Sequence, residues 1–263
     1  MKPHKTDSWQ MDKYSAFWER MAQKYPLPFD EENAADTRRV ISIVKNRGVD
    51  FPDTTILDIG CGTGIYSLPL AREALSVTAL DDSEAMLSRM QDVISSTGMK
   101  NVFPIKASWK DIDTRARGFE KAFDLAWISM SPAVQTRKDF IKMERCARKW
   151  CVYIGWGRKR ENPLMEEVYR RHDLRFGPPP GVSAAYKILV KSGKQPSLDF
   201  FETSWPWEGT VDEAVADMTC YIEWQGGRPR PDLIREILAP YEQNGRISHV
   251  THVEEGIMVW RVA

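Results

Sequence analysis

Short apolar runs alternate with amphipathic segments along the first 156 residues of the chain. The runs are apolar nearly throughout, which is typical of strands that are buried on both faces of a sheet. They predict five strands, at residues 54–59, 76–80, 102–106, 123–128 and 151–156. The segments between them show the helical period and predict helices at residues 30–47, 65–73, 84–96 and 136–148. This alternation indicates an α/β fold with a parallel sheet covered on both faces.

Local signals mark where several of these helices begin and end. Ser83 is a suitable N-cap for the helix at 84–96. Thr136 and Asp139 have the spacing of a capping box. Gly48 follows the helix at 30–47, where a left-handed residue commonly ends a helix.

The regular alternation of predicted strands and helices stops after Trp156. A glycine- and proline-rich stretch at 177–181 predicts a loop. The rest of the chain predicts a strand at 198–205, helices at 211–224 and 232–241, and a last strand at 257–262. Near the start of the chain, the segment 14–25 predicts a short helix. We therefore predict one domain, with extra helices inserted between its final two strands.

Composition narrows the class of protein. The chain has 263 residues, and its 37 basic residues balance its 37 acidic ones, so no overall charge attracts nucleic acid or an anionic membrane. The four cysteines lack a Cys-x-x-Cys spacing, which favours reduced thiols over disulfides or a zinc site. The first residues have no apolar core, and no apolar stretch approaches eighteen residues. We expect a soluble cytoplasmic protein with no metal site and no membrane partner.

Three glycines crowd the turn after the first predicted strand, in the order Asp58-Ile59-Gly60-Cys61-Gly62-Thr63-Gly64. Glycines at such a turn permit tight backbone angles and the close approach of a ligand. A dinucleotide fingerprint requires Gly-x-Gly-x-x-Gly, whereas the third glycine here comes one residue early. The turn instead resembles the first motif of class I S-adenosylmethionine-dependent methyltransferases.

The resemblance extends through roughly residues 35–156 and implies a fold and a cofactor. The implied fold is Rossmann-like and doubly wound, with a mostly parallel seven-stranded sheet, an antiparallel last strand and inserted cap helices. The implied cofactor is S-adenosylmethionine, which the loop Gly60, Cys61, Gly62, Thr63 and Gly64 would wrap while Asp58 organises the loop and the amino group of the ligand. On this basis we expect a single domain of residues 1–263. It would comprise an N-terminal lid (1–29), a cofactor-binding core (30–156), a substrate cap with a late strand (157–250) and a final strand (251–263).

A second acidic position supports the resemblance. Asp81 ends the second predicted strand, where a carboxylate can accept hydrogen bonds from both hydroxyls of a ribose. By resemblance, Asp82 and Met86 would lie beside the adenine. The alternative is that Asp81, Asp82 and Ser83 only begin a helix, where acids suit the helix dipole.

The position after the third strand departs from the family pattern. Members of the family often have an acid there that accepts from the adenine amino group, whereas this chain has Ser108. A serine accepts a hydrogen bond less strongly than a carboxylate. The next residue, Trp109, is predicted either to cover the adenine or to fill the core.

The acceptor site is expected at the end of the fourth strand, where Ser129, Met130, Ser131 and Pro132 follow one another. Base-modifying relatives often carry Asn-Pro-Pro-Tyr there, and the missing amide and tyrosine argue against an exocyclic amine as target. Ser129 and Met130 are predicted to line the site, with an ordinary turn as the alternative. Tyr14, Trp18 and Tyr25 are predicted to contact the substrate from the N-terminal segment.

Later aromatic residues could form a lid or simply a small core under the cap; they are Phe200, Phe201, Trp205, Trp207, Tyr221 and Trp224. His249 and His252 lack an evident third ligand and are expected at surface or strand positions. The basic residues at 158–160 and at 170–171 are expected to form a solvated rim.

The leading hypothesis is an S-adenosylmethionine-dependent methyltransferase that acts on a small molecule, with no nucleic-acid partner. Two alternatives remain: a methyltransferase of RNA or protein, and a cofactor-binding protein without turnover. No catalytic base is evident, and the sequence leaves the acceptor atom and the oligomeric state open.

Overall fold

The computed structural model describes residues 17–262, except for the side chain of residue 32. The helices are α1 (Glu31–Asn46), α2 (Ser67–Ala71), α3 (Glu84–Thr97), α4 (Arg137–Cys146), α5 (Pro163–Arg171), α6 (Val182–Lys191), α7 (Val211–Trp224) and α8 (Pro231–Leu238). The strands are β1 (Thr55–Ile59), β2 (Ser76–Asp81), β3 (Val102–Lys106), β4 (Phe123–Ser129), β5 (Ala147–Glu161), β6 (Ser197–Thr210) and β7 (Arg246–Arg261). Residues 17–21 are helical, and 3-10 turns lie at Ala22–Lys24 and Ala239–Tyr241.

The seven strands form one sheet in the order β3-β2-β1-β4-β5-β7-β6. The pairs β2–β3, β1–β2, β1–β4 and β4–β5 are parallel. The last strands are antiparallel, so the predicted Rossmann-like fold is confirmed. The strand order reverses between β2 and β4 on either side of β1, and ligands of such sheets bind beside the carboxyl ends of the strands at this point.

Two helix starts form as the sequence predicts. The Ser83 hydroxyl accepts a hydrogen bond from the Met86 amide at 3.1 Å and caps α3. Thr136 and Asp139 form a reciprocal capping box at the start of α4. Both helices thereby begin where the polar signal stands rather than at the first apolar residue.

The prediction that α4 continues through Arg148 is wrong. The helix ends at Cys146, and Ala147 already pairs with Phe123 in the sheet. A side-chain contact explains the early change, because the Arg148 guanidinium binds the Asp124 carboxylate at 2.9 Å and holds this residue in extended register. Sequence periodicity does not reveal such a contact.

The second half of the sheet is larger than predicted. β5, β6 and β7 are 15, 14 and 16 residues long, and each extends well beyond its apolar run. The extension of β5 contains charged residues such as Arg158, Lys159 and Arg160. The pattern of apolar residues therefore does not predict it. The helices α5 and α6 were not predicted either.

The described residues divide into two compact units. The larger unit comprises Trp18–Gly155, Pro180–Phe200 and residues 256–262, and the smaller unit comprises Phe17, Trp156–Pro179 and Phe201–Glu255. Each has its own buried cluster: Leu57, Ile128, Phe140 and Trp260 belong to that of the larger unit, and Leu164, Met218 and Ile234 to that of the smaller. The predicted functional division of the chain stays a prediction, and its ranges differ from these units because residues 180–200 belong to the larger one.

Candidate active site

The turn after β1 needs glycine at two positions for steric reasons. Gly60, Gly62 and Gly64 all have positive φ, at 68°, 55° and 89°. A Cβ on Gly60 would lie 2.1 Å from the Ser131 Oγ, and one on Gly64 would lie 2.5 Å from Leu68 Cδ1. The turn is therefore packed directly against the loop after β4 on one side and against α2 on the other.

Backbone hydrogen bonds fix the turn to the end of β2. The amides of Gly60 and Cys61 both donate to the Leu80 carbonyl oxygen, at 2.7 and 3.0 Å. The Gly64 amide donates to the Cys61 carbonyl oxygen at 3.0 Å. Cys61 therefore contributes its backbone to the turn, while burial raises the pKa of its thiol well above the usual value.

Asp58 ties the end of β1 to the start of α2. Its carboxylate is buried and accepts a hydrogen bond of 2.5 Å from the Ser67 hydroxyl. Burial raises the pKa of Asp58 to about 7; the nearby negative charge of Asp81 raises it too, and the Ser67 hydrogen bond opposes the rise. The predicted roles of Asp58, in organising the loop and in contacting a ligand, stay predictions.

Asp81 joins the glycine turn to the start of α3. Its Oδ2 accepts from the Gly62 amide at 2.8 Å, and its Oδ1 accepts from the Ser83 amide at 2.9 Å. Burial raises the pKa of Asp81 to about 6, while these amides oppose the rise. Each carboxylate oxygen has two acceptor sites, so both remain able to accept one hydroxyl of a ligand.

The N-terminal segment is attached to the same turn. The Thr63 hydroxyl donates to the Pro26 carbonyl oxygen at 2.6 Å, and the Glu19 carboxylate accepts from the Ala85 amide at 3.2 Å at the start of α3. A Cβ on Gly62 would lie 3.8 Å from the ring of Tyr25. The Tyr25 ring in turn meets the Trp18 ring edge-on, with centroids 5.8 Å apart.

The structure places Tyr25 beside the glycine turn and Trp18 against Tyr25, and Tyr14 lies outside the described residues. The predicted lid role of the segment and the substrate contacts of these aromatic residues stay predictions. Sequence reasoning missed Glu19 and Ser67. Neither lies in a recognisable motif, and only the folded chain brings them beside the start of α3 and beside Asp58.

The end of β4 reaches the turn through Ser131. Ser129 is the last residue of β4, and Met130 follows with φ of 50° and an amide that donates to the Ile154 carbonyl oxygen at 2.9 Å. A left-handed backbone is uncommon for methionine, and such strain clusters at functional sites. Ser129 and Met130 are both half-buried, so their lining role stays a prediction.

The residues predicted beside the adenine differ in their surroundings. Asp82 is exposed, Ser108 is half-buried, and Met86 is buried at the start of α3. Trp109 is only 3% exposed and belongs to the core of the larger unit, with the Lys142 ammonium 4.8 Å from its ring centroid. This placement favours the packing alternative for Trp109, while the adenine contacts of Asp82, Met86 and Ser108 stay predictions.

In the smaller unit, the aromatic residues mainly contact one another. Phe17 stacks on Trp224 with centroids 4.5 Å apart, and Trp207 stacks on the imidazole of His249 at 5.2 Å. His249 Nδ1 lies 3.0 Å from the Asn162 amide nitrogen, and burial lowers the pKa of His249.

Among residues 17–262, no three histidine, cysteine or acidic side chains lie close enough to hold a metal ion. All four cysteines are buried.

A family comparison agrees with this geometry. Residues 56–150 match the family model described as a methyltransferase domain. The matched segment runs from β1 into β5 and contains the glycine turn, Asp81 and the end of β4. Residues 56–150 form a methyltransferase domain of class I.

Relatives of this methyltransferase domain differ in what they act on. An uncharacterised Haemophilus influenzae protein is 28% identical over 178 residues, covering 66% of this chain and 63% of that protein. A 23S rRNA (uracil-C5)-methyltransferase from Methylococcus capsulatus is 33% identical over 85 residues, covering 32% of this chain and 19% of that enzyme. The chain therefore spans less than two thirds of the length of these relatives.

The fold is similar to that of a solved Bacillus halodurans structure, provisionally assigned as a methyltransferase. The TM-score is 0.56 at 15% identity, and the match covers 87% of this chain and 99% of that one. The similarity therefore extends beyond the methyltransferase domain itself. None of the helices within residues 17–262 is long and apolar enough to cross a membrane.

Proposed function

We propose that this protein binds S-adenosylmethionine at the glycine turn and transfers its methyl group to a small-molecule acceptor. The observation that carries the proposal is the position of Asp81, which accepts the Gly62 amide on one oxygen and the Ser83 amide on the other. Both oxygens keep one acceptor site, as the two hydroxyls of a ribose require.

The charge of the turn also suits this cofactor. Asp58 is buried and Asp81 is half-buried, and their pKa values are raised to about 7 and about 6. A cation bound nearby favours the ionised form of such carboxyls. When bound, S-adenosylmethionine would supply an ammonium group and a methyl group on a positively charged sulfur. The acceptor nucleophile attacks the methyl carbon, and the carbon–sulfur bond breaks to leave neutral S-adenosylhomocysteine.

The residues of this chain then position and shield the ligand. Asp81 accepts the ribose hydroxyls, and the backbone of Gly60 to Gly64 surrounds the methionine part. The segment that includes Glu19 and Tyr25 covers the turn and excludes water. Ser129 and Met130 face the acceptor at the end of β4.

A small acceptor is supported by charge and by the loop after β4. Acidic and basic residues balance over the whole chain. Within the smaller unit, Arg158 pairs with Glu254 and Lys159 with Glu202, so these cations are already neutralised. The sequence Ser129-Met130-Ser131-Pro132 lacks the amide and the aromatic ring that grip an exocyclic amine of a base.

An RNA acceptor is the second candidate, because the rRNA methyltransferase relative matches 32% of the chain at 33% identity. Methyl-labelled cofactor incubated with the protein, a metabolite extract and purified rRNA tests both. Label in small products supports the proposal, and label in rRNA supports the second candidate. Cofactor binding without transfer to either acceptor contradicts both and favours a non-catalytic role.

A further inference from the structure

Arg160 differs from its two neighbours on β5. Arg158 forms an ion pair of 2.8 Å with the buried carboxylate of Glu254, and Lys159 pairs with Glu202 at the surface. Arg160 is half-buried, and its Nε is sealed from solvent without any hydrogen-bond partner. Within residues 17–262, no carboxylate lies at ion-pair distance from its guanidinium.

Aromatic rings surround this guanidinium within the smaller unit. Its Cζ lies 5.0 Å from the ring centroid of Trp156 and 4.4 Å from that of Phe176. The phenol of Tyr169 also interacts with it, and a long hydrogen bond of 3.4 Å runs from Nη1 to the Gly177 carbonyl oxygen. Contacts with ring faces stabilise a cation, but they do not satisfy the Nε–H donor, which has no hydrogen-bond partner.

Burying the Arg160 cation without an anion beside it lowers the stability of the folded protein. A buried cation without an anion is destabilising, and burial accordingly lowers the pKa of Arg160. An apolar side chain of similar length would fill the same space without that cost. A planar guanidinium with an unsatisfied N–H donor is instead well suited to a carboxylate or a phosphate, which such a group binds through two parallel hydrogen bonds.

We propose that the smaller unit binds the carboxylate or phosphate group of a small organic molecule at the edge of Arg160, with Trp156 and Phe176 flanking the guanidinium. The Tyr169 hydroxyl is a second donor for the same oxyanion. Arg160 has intermediate exposure although its Nε is sealed from solvent, so we place the oxyanion against the outer edge of the guanidinium. This site is separate from the proposed cofactor contacts. The anion-binding proposal can therefore be wrong while the proposed methyl transfer is correct, and the methyl transfer can be wrong while the anion site is correct.

To test the site, the protein is titrated with inorganic phosphate and, separately, with acetate, while chloride keeps the ionic strength constant. Tryptophan fluorescence, to which Trp156 contributes as one of ten tryptophans, is one readout, and the thermal unfolding midpoint is a second. The wild-type protein is expected to show saturable binding of at least one of the two anions, and the stronger binder identifies the group. Arg160→Met is expected to lower that affinity at least tenfold. The affinity of Arg160→Lys should lie between those of the wild type and Arg160→Met.

Arg158→Met is the matched control, because it removes a neighbouring cation that already has a carboxylate partner. Its affinity should stay within twofold of the wild type. Three results would overturn the proposal: no saturable response of the wild type to either anion, an equal response in Arg160→Met, or an equal loss in Arg158→Met. If Arg160→Met does not fold, the wild-type titration and Arg160→Lys decide the question.

Discussion

The Asp81 carboxylate accepts a hydrogen bond of 2.8 Å from the Gly62 amide, so the end of β2 and the glycine turn form one structural piece. The second oxygen holds the Ser83 amide at the start of α3. A single side chain thereby positions three elements around the proposed ribose. Neither sequence motif alone specifies this connection.

Asp81→Asn is expected to weaken binding of S-adenosylhomocysteine by about 10- to 100-fold, because a charge-assisted hydrogen bond contributes roughly 1.5–3 kcal/mol. Calorimetry measures the affinity. Asp92→Asn, an exposed substitution on α3, should leave it unchanged. Equal affinities in Asp81→Asn and the wild type would contradict the assigned role.

Gly60→Ala is expected to destabilise the protein more than Gly98→Ala does. The two glycines have nearly the same φ, 68° and 69°, but a Cβ on Gly98 meets no atom within 4 Å, whereas one on Gly60 would collide with Ser131. The backbone cost alone is about 1–2 kcal/mol. Urea unfolding measures the difference, and Ser131→Gly added to Gly60→Ala should recover part of it. Equal losses in the two single variants would show that the collision is relieved at no cost.

Stability should depend on pH through the carboxyls of Asp58, which is buried, and of Asp81, which is half-buried. The pKa values of Asp58 and Asp81 in the folded protein, about 7 and about 6, lie above the unfolded value of 3.8. The folded protein therefore binds more protons than the unfolded chain, and the stability from these groups is present below pH 4 and lost as pH rises through 6 and 7. The unfolding midpoint of the ligand-free protein should fall between pH 5 and pH 8.

Asp58→Asn should flatten this fall, because it removes one of the two titrating groups. Asp113→Asn is the control, since hydrogen bonds from backbone amides lower the pKa of that exposed carboxyl and move its effect below pH 4. Cofactor affinity should change in the opposite direction and rise over the same pH range, because a cationic ligand favours the ionised carboxylates. A midpoint that is flat in the wild type from pH 5 to pH 8 would contradict the account.

Much of this architecture follows from pattern alone, and the failures have physical causes. Ser83 and Thr136 mark helix starts by local hydrogen bonds, and the sequence around them contains that information. The early end of α4 depends on a contact between Arg148 and Asp124, which is not local. The glycine turn and Asp81 were recognisable by motif, whereas Glu19 meets α3 only through tertiary folding.

Thr63→Val is expected to loosen the N-terminal segment from the turn. The buried Thr63 hydroxyl donates to the Pro26 carbonyl oxygen at 2.6 Å, and losing this bond should cost about 1 kcal/mol. Trypsin should then cleave after Arg20 and Lys24 faster than in the wild type. Thr97→Val removes a hydroxyl that bonds only within α3, so its cleavage rate should not change. An unchanged rate in Thr63→Val would mean that other contacts hold the segment.

Calorimetry of the purified protein with S-adenosylmethionine, S-adenosylhomocysteine and NAD tests the central claim most directly. We predict saturable binding of both sulfur nucleosides at one site per chain, with affinity lowered about 10- to 100-fold in Asp81→Asn and no binding of NAD. Binding of NAD without binding of either sulfur nucleoside would contradict the assignment of the glycine turn.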